Sequence, residues 1–105
     1  METPLEIDGE VRVVTANSVW LIRADEYCRM PRTEAPRPAS TPTMTDGVWH
    51  DHAGAWLVLD VSGPYIRLLP PGRPASAQGV LTSRILHSEP ADLVRAAVLR
   101  LSSET

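Results

Sequence analysis

Residues 10–30 read Glu10-Val11-Arg12-Val13-Val14-Thr15-Ala16-Asn17-Ser18-Val19-Trp20-Leu21-Ile22-Arg23-Ala24-Asp25-Glu26-Tyr27-Cys28-Arg29-Met30. From Glu10 to Thr15, Val11 and Val13 fall on one face and Arg12 and Val14 on the other. This is the two-residue period of a strand. Asn17-Ser18 permits a turn. Val19 to Arg23 is a second strand, with Trp20 and Ile22 opposite Val19 and Leu21. Ala24-Asp25-Glu26 is a tight polar turn, and Tyr27 to Met30 is a third strand that Pro31 ends. Short turns between successive strands call for antiparallel pairing.

Downstream, residues 31–46 change character. Pro31, Pro36, Pro38 and Pro42 stand among Thr, Ser and Ala without apolar periodicity, which predicts a long proline-rich surface loop. Asp46-Gly47 closes it as a turn. Val48 to Asp51 and Ala55 to Val61 read as a hairpin around His52-Ala53-Gly54. The second arm is apolar on both faces and is expected to be a central strand. Ser62-Gly63-Pro64 turns the chain into a strand from Tyr65 to Leu69. Pro70-Pro71-Gly72-Arg73-Pro74 excludes regular structure, and Val80 to Leu86 reads as the last strand. Upstream, the polar residues 1–9 read as a loose lead-in.

Residues 89–102 read as a helix. Ser88 or Glu89 can cap it, Pro90 suits its first turn, and Asp92 and Arg100 oppose the charges of its dipole. Leu93, Val94, Ala97, Val98 and Leu101 form one apolar stripe that should pack on the sheet. Leu99 lies off the stripe, beside Arg95 and Asp92. The fold class expected is α+β: a small, mostly antiparallel β-sheet or open β-barrel with one C-terminal amphipathic helix, a single domain across residues 1–105.

Composition narrows the function classes. The 105 residues suffice for a core without staples. A net charge of −3 gives no general attraction to phosphate backbones or anionic lipid, which argues against nucleic acid as partner. No apolar run reaches the roughly 18 residues of a membrane span. The single cysteine, Cys28, excludes an intrachain disulfide and favours an intracellular, cytoplasmic setting. The acidic N-terminus, Met1-Glu2-Thr3-Pro4-Leu5-Glu6, does not read as a signal peptide. All 10 basic residues are arginine, and Lys and Phe are absent. That bias fits a GC-rich coding genome better than selection for guanidinium chemistry, because the arginines are scattered.

Four short segments carry a resemblance. They are Thr15-Ala16-Asn17-Ser18-Val19-Trp20, Arg29-Met30-Pro31-Arg32, Asp46-Gly47-Val48-Trp49 and Gly79-Val80-Leu81-Thr82-Ser83-Arg84-Ile85. Together they resemble short β-rich proteins of actinobacteria and their phages. The resemblance spans about two-thirds of the chain and leaves out the proline-rich loop and the helix. It implies a phage or prophage context and carries no mechanism.

Few residues offer chemistry. In His50-Asp51-His52, both histidines point to one side of a strand and permit shared metal ligation, with His87, Asp46 or Asp60 as third ligand. Against that stands an exposed hairpin end without a spaced Cys/His set, so no metal is expected. Cys28 reads as a buried packing residue. No nucleophile elbow or glycine-rich phosphate loop is present. Arg23, Arg29, Arg32 and Arg37 near Trp20 and Tyr27 could hold single-stranded nucleic acid by stacking. Asp25, Glu26 and Glu34 nearly cancel their charge.

Trp20 and Trp56 are expected in the core. Trp49, at the junction of loop and hairpin, and Leu99, on the outer helix face, are the candidate partner-binding anchors. The expectation is a non-enzymatic protein–protein interaction module with no cofactor. It would dock another protein, such as a host or virion component, or a second copy of itself. A nucleic-acid-binding regulatory domain built on the 23–37 arginines and a small metal-dependent enzyme around His50 and His52 are the rivals.

Overall fold

The structure, a computed structural model, describes residues 1–31, 47–74 and 79–103. Its strands are β1 (Glu2–Pro4), β2 (Val11–Val14), β3 (Ser18–Ile22), β4 (Glu26–Pro31), β5 (Trp49–Asp51), β6 (Gly54–Asp60), β7 (Gly63–Leu69), β8 (Val80–Leu81) and β9 (His87–Glu89); the helix is α1 (Ala91–Ser103). They form two antiparallel sheets, one in the order β1-β6-β7-β8 and the other β5-β4-β3-β2-β9, neither closed into a barrel.

The meander of residues 10–30 is the middle of the five-stranded sheet. Val13 stands opposite Trp20, and Ile22 opposite both Val11 and Tyr27. These side chains share the inner face and are buried. In the other sheet Ala55 pairs with Leu68 and Leu57 with Ile66, and all four are buried in the same core. Val94, Ala97 and Leu101 of α1 complete that core, with Leu93 and Val98 partly buried against it. The stripe expected from the sequence is therefore the packed face. Asp92 in the first helical turn and Arg100 in the last complement the dipole.

Several expectations are corrected. Residues 1–9 are not a loose lead-in throughout: β1 pairs with β6, Thr3 is buried, and Leu5 N–H donates to Ala55 O at 2.9 Å. Ladder hydrogen bonds hold this segment whatever the polarity of its side chains. Val80 to Leu86 is not one strand. After Leu81, Thr82 exchanges bonds with Ile66, Ile85 N–H reaches Pro64 O, and Leu86 N–H reaches Val14 O. The chain thus crosses from one sheet to the other and pairs as β9 with β2.

Ser88 and Glu89 belong to β9 instead of capping the helix, which begins at Ala91 after a cis Glu89–Pro90 bond. Trp56 is half-buried on the outer face of its sheet, because its neighbours Ala55 and Leu57 take the inner positions. The Arg67 guanidinium lies over its ring at 4.6 Å and pairs with Glu2 at 3.0 Å. Trp20 is core, as expected, and β6 is an internal strand. Of the proline-rich segment, Pro31 ends β4, and residues 32–46 lie outside the described residues. No helix among the described residues is long and apolar enough to cross a membrane.

Candidate functional site

Because the strand period is two, every residue between the core positions of the five-stranded sheet faces outward. Cross-strand register sorts them into rows. Trp49, Cys28, Leu21, Arg12 and Glu89 are successive partners across all five strands. Met30, Val19, Val14 and His87 form the next row. The centre of this outer face is apolar: Leu21, Val19, Val14 and Trp49 are half-buried and Met30 is 38% exposed. Val48, just before β5, is exposed beside it.

Charges sit around that centre and are largely paired. At one end Arg12 meets Glu89 at 3.9 Å, and His87 meets Glu89 at 3.7 Å. At the other, Arg23 bonds Glu26 at 2.7 Å and Glu10 at 3.3 Å. These carboxylates hold the Arg23 guanidinium above its ordinary pKa, with the Glu26 hydrogen bond as the largest cause. The same guanidinium lies 4.0 Å over the Trp49 ring, so the indole is fixed by a cation that two acids orient.

The two expected anchors do not come together. Trp49 sits on β5 at one edge of the sheet, while α1 packs on β9 at the opposite edge. Leu99 is 63% exposed on the helix. A groove lined by Pro4, Leu5, Glu6, Leu93, Ala96 and Arg100 runs beside the helix, and Arg100 donates to Thr3 Oγ1 at 3.1 Å.

His50 and His52 do share one side of their strand, facing inward. Their rings lie 5.5 and 6.3 Å from that of Tyr27, whose hydroxyl is pushed up in pKa by burial. The expected hairpin of 48–51 with 55–61 does not form, because β5 pairs with β4 and β6 with β1 and β7 in separate sheets, and His52 is only 5% exposed, tucked under the β3–β4 turn. Of the third ligands considered, His87 is at the far edge of the sheet and Asp60 is bound by Ser62 and Tyr65. Asp46 lies outside the described residues. Among the described residues no three His, Cys, Asp or Glu side chains group as metal ligands.

Cys28 is buried at 2% exposure, with its thiol against the Arg29 carbonyl. Arg23 and Arg29 serve opposite faces of the sheet, Arg23 over Trp49 outside and Arg29 over the core residue Trp20. Arg32 and Arg37 lie outside the described residues. The sequence reading passed over Val14, Val19, Leu21 and Met30 as a surface. Their signal is the apolar residue at both parities of strands 11–14 and 19–22, which a sheet covered on one face does not require. No protein-family model, curated protein or solved structure matches the chain.

Proposed function

We propose that this chain is a non-enzymatic binding module that docks a partner protein on the outer face of its five-stranded sheet, with Trp49 as anchor. The supporting observation is the apolar field of Val14, Val19, Leu21, Met30 and Trp49 between two clusters of paired charges. Tryptophan held rigidly by a neighbouring guanidinium loses little freedom on binding, which suits a hot spot. The partner carries an apolar patch of its own, and a second copy of the chain meets that description as well as another protein does. Leu99 on the helix is a second contact point at the other end of the molecule. In the phage setting that the sequence resemblance suggests, the partner is a host or virion protein. The lone, buried, free thiol of Cys28 fits a reducing cytoplasm.

The test uses Met30→Asp, which sets a charge in the exposed part of the field and leaves the core untouched. It should keep the melting temperature near that of the parent while weakening association at least tenfold. Association is read by sedimentation for self-pairing and by pull-down from the native host for other partners. Equal association by both proteins in both assays removes the outer face from consideration.

A further inference from the structure

Where the chain crosses from β8 to β9, a cleft of about 360 Å³ lies between the crossing and α1, lined by Pro64, Ile85, Leu86, Ser88, Val94 and Arg95. We infer that this cleft takes an acidic peptide segment of a partner protein, in which an apolar side chain is flanked by carboxylates. The cleft lies at the β9 edge, opposite the Trp49 edge of the same sheet, so it and the outer-face docking surface are tested separately.

The apolar lining follows from the crossing itself. Ile85 N–H donates to Pro64 O and Leu86 N–H to Val14 O, each at 2.8 Å, so successive amides tie the chain to one sheet and then the other. Held this way, Ile85 is buried and Leu86 is left exposed. Val94 of α1 is buried beside them and Pro64 is half-buried. A leucine fixed in the open by backbone bonds on both sides cannot fold away, and it stands ready to be covered by a partner.

The charge of the occupant follows from two arginines. The chain carries a net −3, so its mean field repels an acidic partner and only local cations can select one. Arg12, Arg23 and Arg67 are each spent on a glutamate. Arg84 and Arg95 are exposed and make no ion pair among the described residues. Arg95 lines the cleft from α1. Arg84 precedes Ile85, and its stem lies against Gly63, where an added Cβ would run into Arg84 Cγ and Cδ. That contact holds Arg84 on the Pro64 side. The carboxylates of this end are engaged or set aside. Asp60 accepts from Ser62 N–H at 2.8 Å and from the Tyr65 hydroxyl at 3.0 Å. Glu89 meets Arg12 and His87. Asp92, in the first turn of α1, does not line the cleft. Two unpaired guanidinium groups beside an apolar cleft complement carboxylates beside an apolar side chain.

The extent of the surface favours a chain segment over a small carboxylate. Val61, in the β6–β7 turn three residues before Pro64, is fully exposed, and the Asp60 bonds to Ser62 and Tyr65 fix that turn. A small molecule seated in the cleft would leave Val61 and the outer side of Leu86 in water. A peptide can fill the cleft with one side chain, cover Leu86 with its neighbours and bring a carboxylate to each arginine.

The test is an NMR titration of the full chain with a capped synthetic peptide in which one leucine stands between pairs of glutamates. The peptide should shift the amide signals of Ile85, Leu86, Ala91 and Arg95 saturably and leave those of Leu21, Met30 and Leu99 in place. Arg84→Gln and Arg95→Gln should each weaken binding about two- to fivefold, and the double variant about tenfold, as exposed ion pairs allow. Arg73→Gln removes an exposed cation elsewhere and should bind as the parent. Leu86→Ser is the further probe if either arginine variant melts early. A peptide with glycine for leucine should bind about fivefold or more weakly, and one with lysines for glutamates should give no saturable shift. Absence of saturable shifts at Ile85, Leu86, Ala91 and Arg95 overturns the proposal. So do equal binding of the lysine peptide and parent-like binding by the double variant. Octanoate binding as tightly as the peptide overturns the chain segment as occupant. Shifts confined to Leu21 and Met30 refute the cleft and move the peptide to the outer sheet face.

Discussion

Replacing Trp49 by alanine tests how the outer face is built. A tryptophan buries roughly 150–250 Å² when enclosed. Trp49 is half-buried, so about 100 Å² returns to water, worth about 2.5 kcal/mol at 25 cal/mol per Å². The Arg23 guanidinium at 4.0 Å adds a solvent-screened cation–π contact. Because unfolded chains already hide some apolar surface, Trp49→Ala should cost about 2–3 kcal/mol. Arg23→Ala loses the same cation–π contact and two exposed, solvent-screened ion pairs. Urea unfolding of the two single variants and the double variant isolates their coupling, expected to be favourable. Cys28 supplies a second readout. It is the direct cross-strand partner of Trp49 on the same face and is buried. Losing the indole should expose the thiol and raise its alkylation rate about tenfold or more under native conditions. A coupling of zero together with an unchanged alkylation rate would refute the packing of Trp49 over this face.

Leu57→Ala should destabilise by about 3–5 kcal/mol, because Leu57 has no exposed surface and links the second sheet to the shared core; thermal and urea melts give the value. Leu99→Ala should shift stability by no more than about 0.5 kcal/mol in the same melts, since its side chain stands off the helix. Gly79→Ala should cost about 2 kcal/mol or more and perturb the amide signals of Leu68 and Val80. Gly79 has φ +67°, and an added Cβ would run into the backbone carbonyl of Leu68. Stability should fall as pH rises above about 10. Burial raises the Tyr27 pKa, and the hydrogen bond to Asp60 raises that of Tyr65, so the unfolded chain loses these protons first. It should also decline below about pH 4. Asp60 is held below its ordinary pKa, first by the Ser62 hydroxyl, so its contribution is present above that value and lost as the carboxylate protonates. Chemical denaturation across pH 3–11, with Asp60→Asn removing the acidic limb's share, checks both signs.

The parts of the fold legible in the sequence are those where one physical rule acts alone. In residues 11–14 and 18–22 the period of two grouped Val11 with Val13 and Trp20 with Ile22, the pairs that face the core, and the stripe from Leu93 to Leu101 did the same for the helix. The rule fails where backbone pairing outweighs side-chain pattern. Glu2-Thr3-Pro4 has no apolar alternation, yet β6 offers a row of ladder partners, and those bonds form whatever the side chains are. Thr82 looks like one more strand residue, but its hydroxyl accepts the Ile66 amide, and the chain leaves the sheet there.

Trp56 shows a further limit. Its size argued for the core, but its place between Ala55 and Leu57 decided its face, and the indole found Arg67 outside instead. Parity therefore outranks bulk when the two conflict. The same ordering explains the candidate site. Trp49 was singled out for its size and its place beside a loop. Its partners Leu21, Val19, Val14 and Met30 were identifiable only by asking why their strands are apolar at both parities. A sheet with one face on the core needs one apolar parity, and the second carries information about what the outer face meets. In the first sheet that second parity is used internally, by Arg67 and Glu2 around Trp56. In the five-stranded sheet the Arg23 cluster braces the Trp49 edge, and among the described residues no charge is laid over Val19 and Met30 in their row. That asymmetry between the two outer faces supports the proposed docking on the five-stranded sheet over the other.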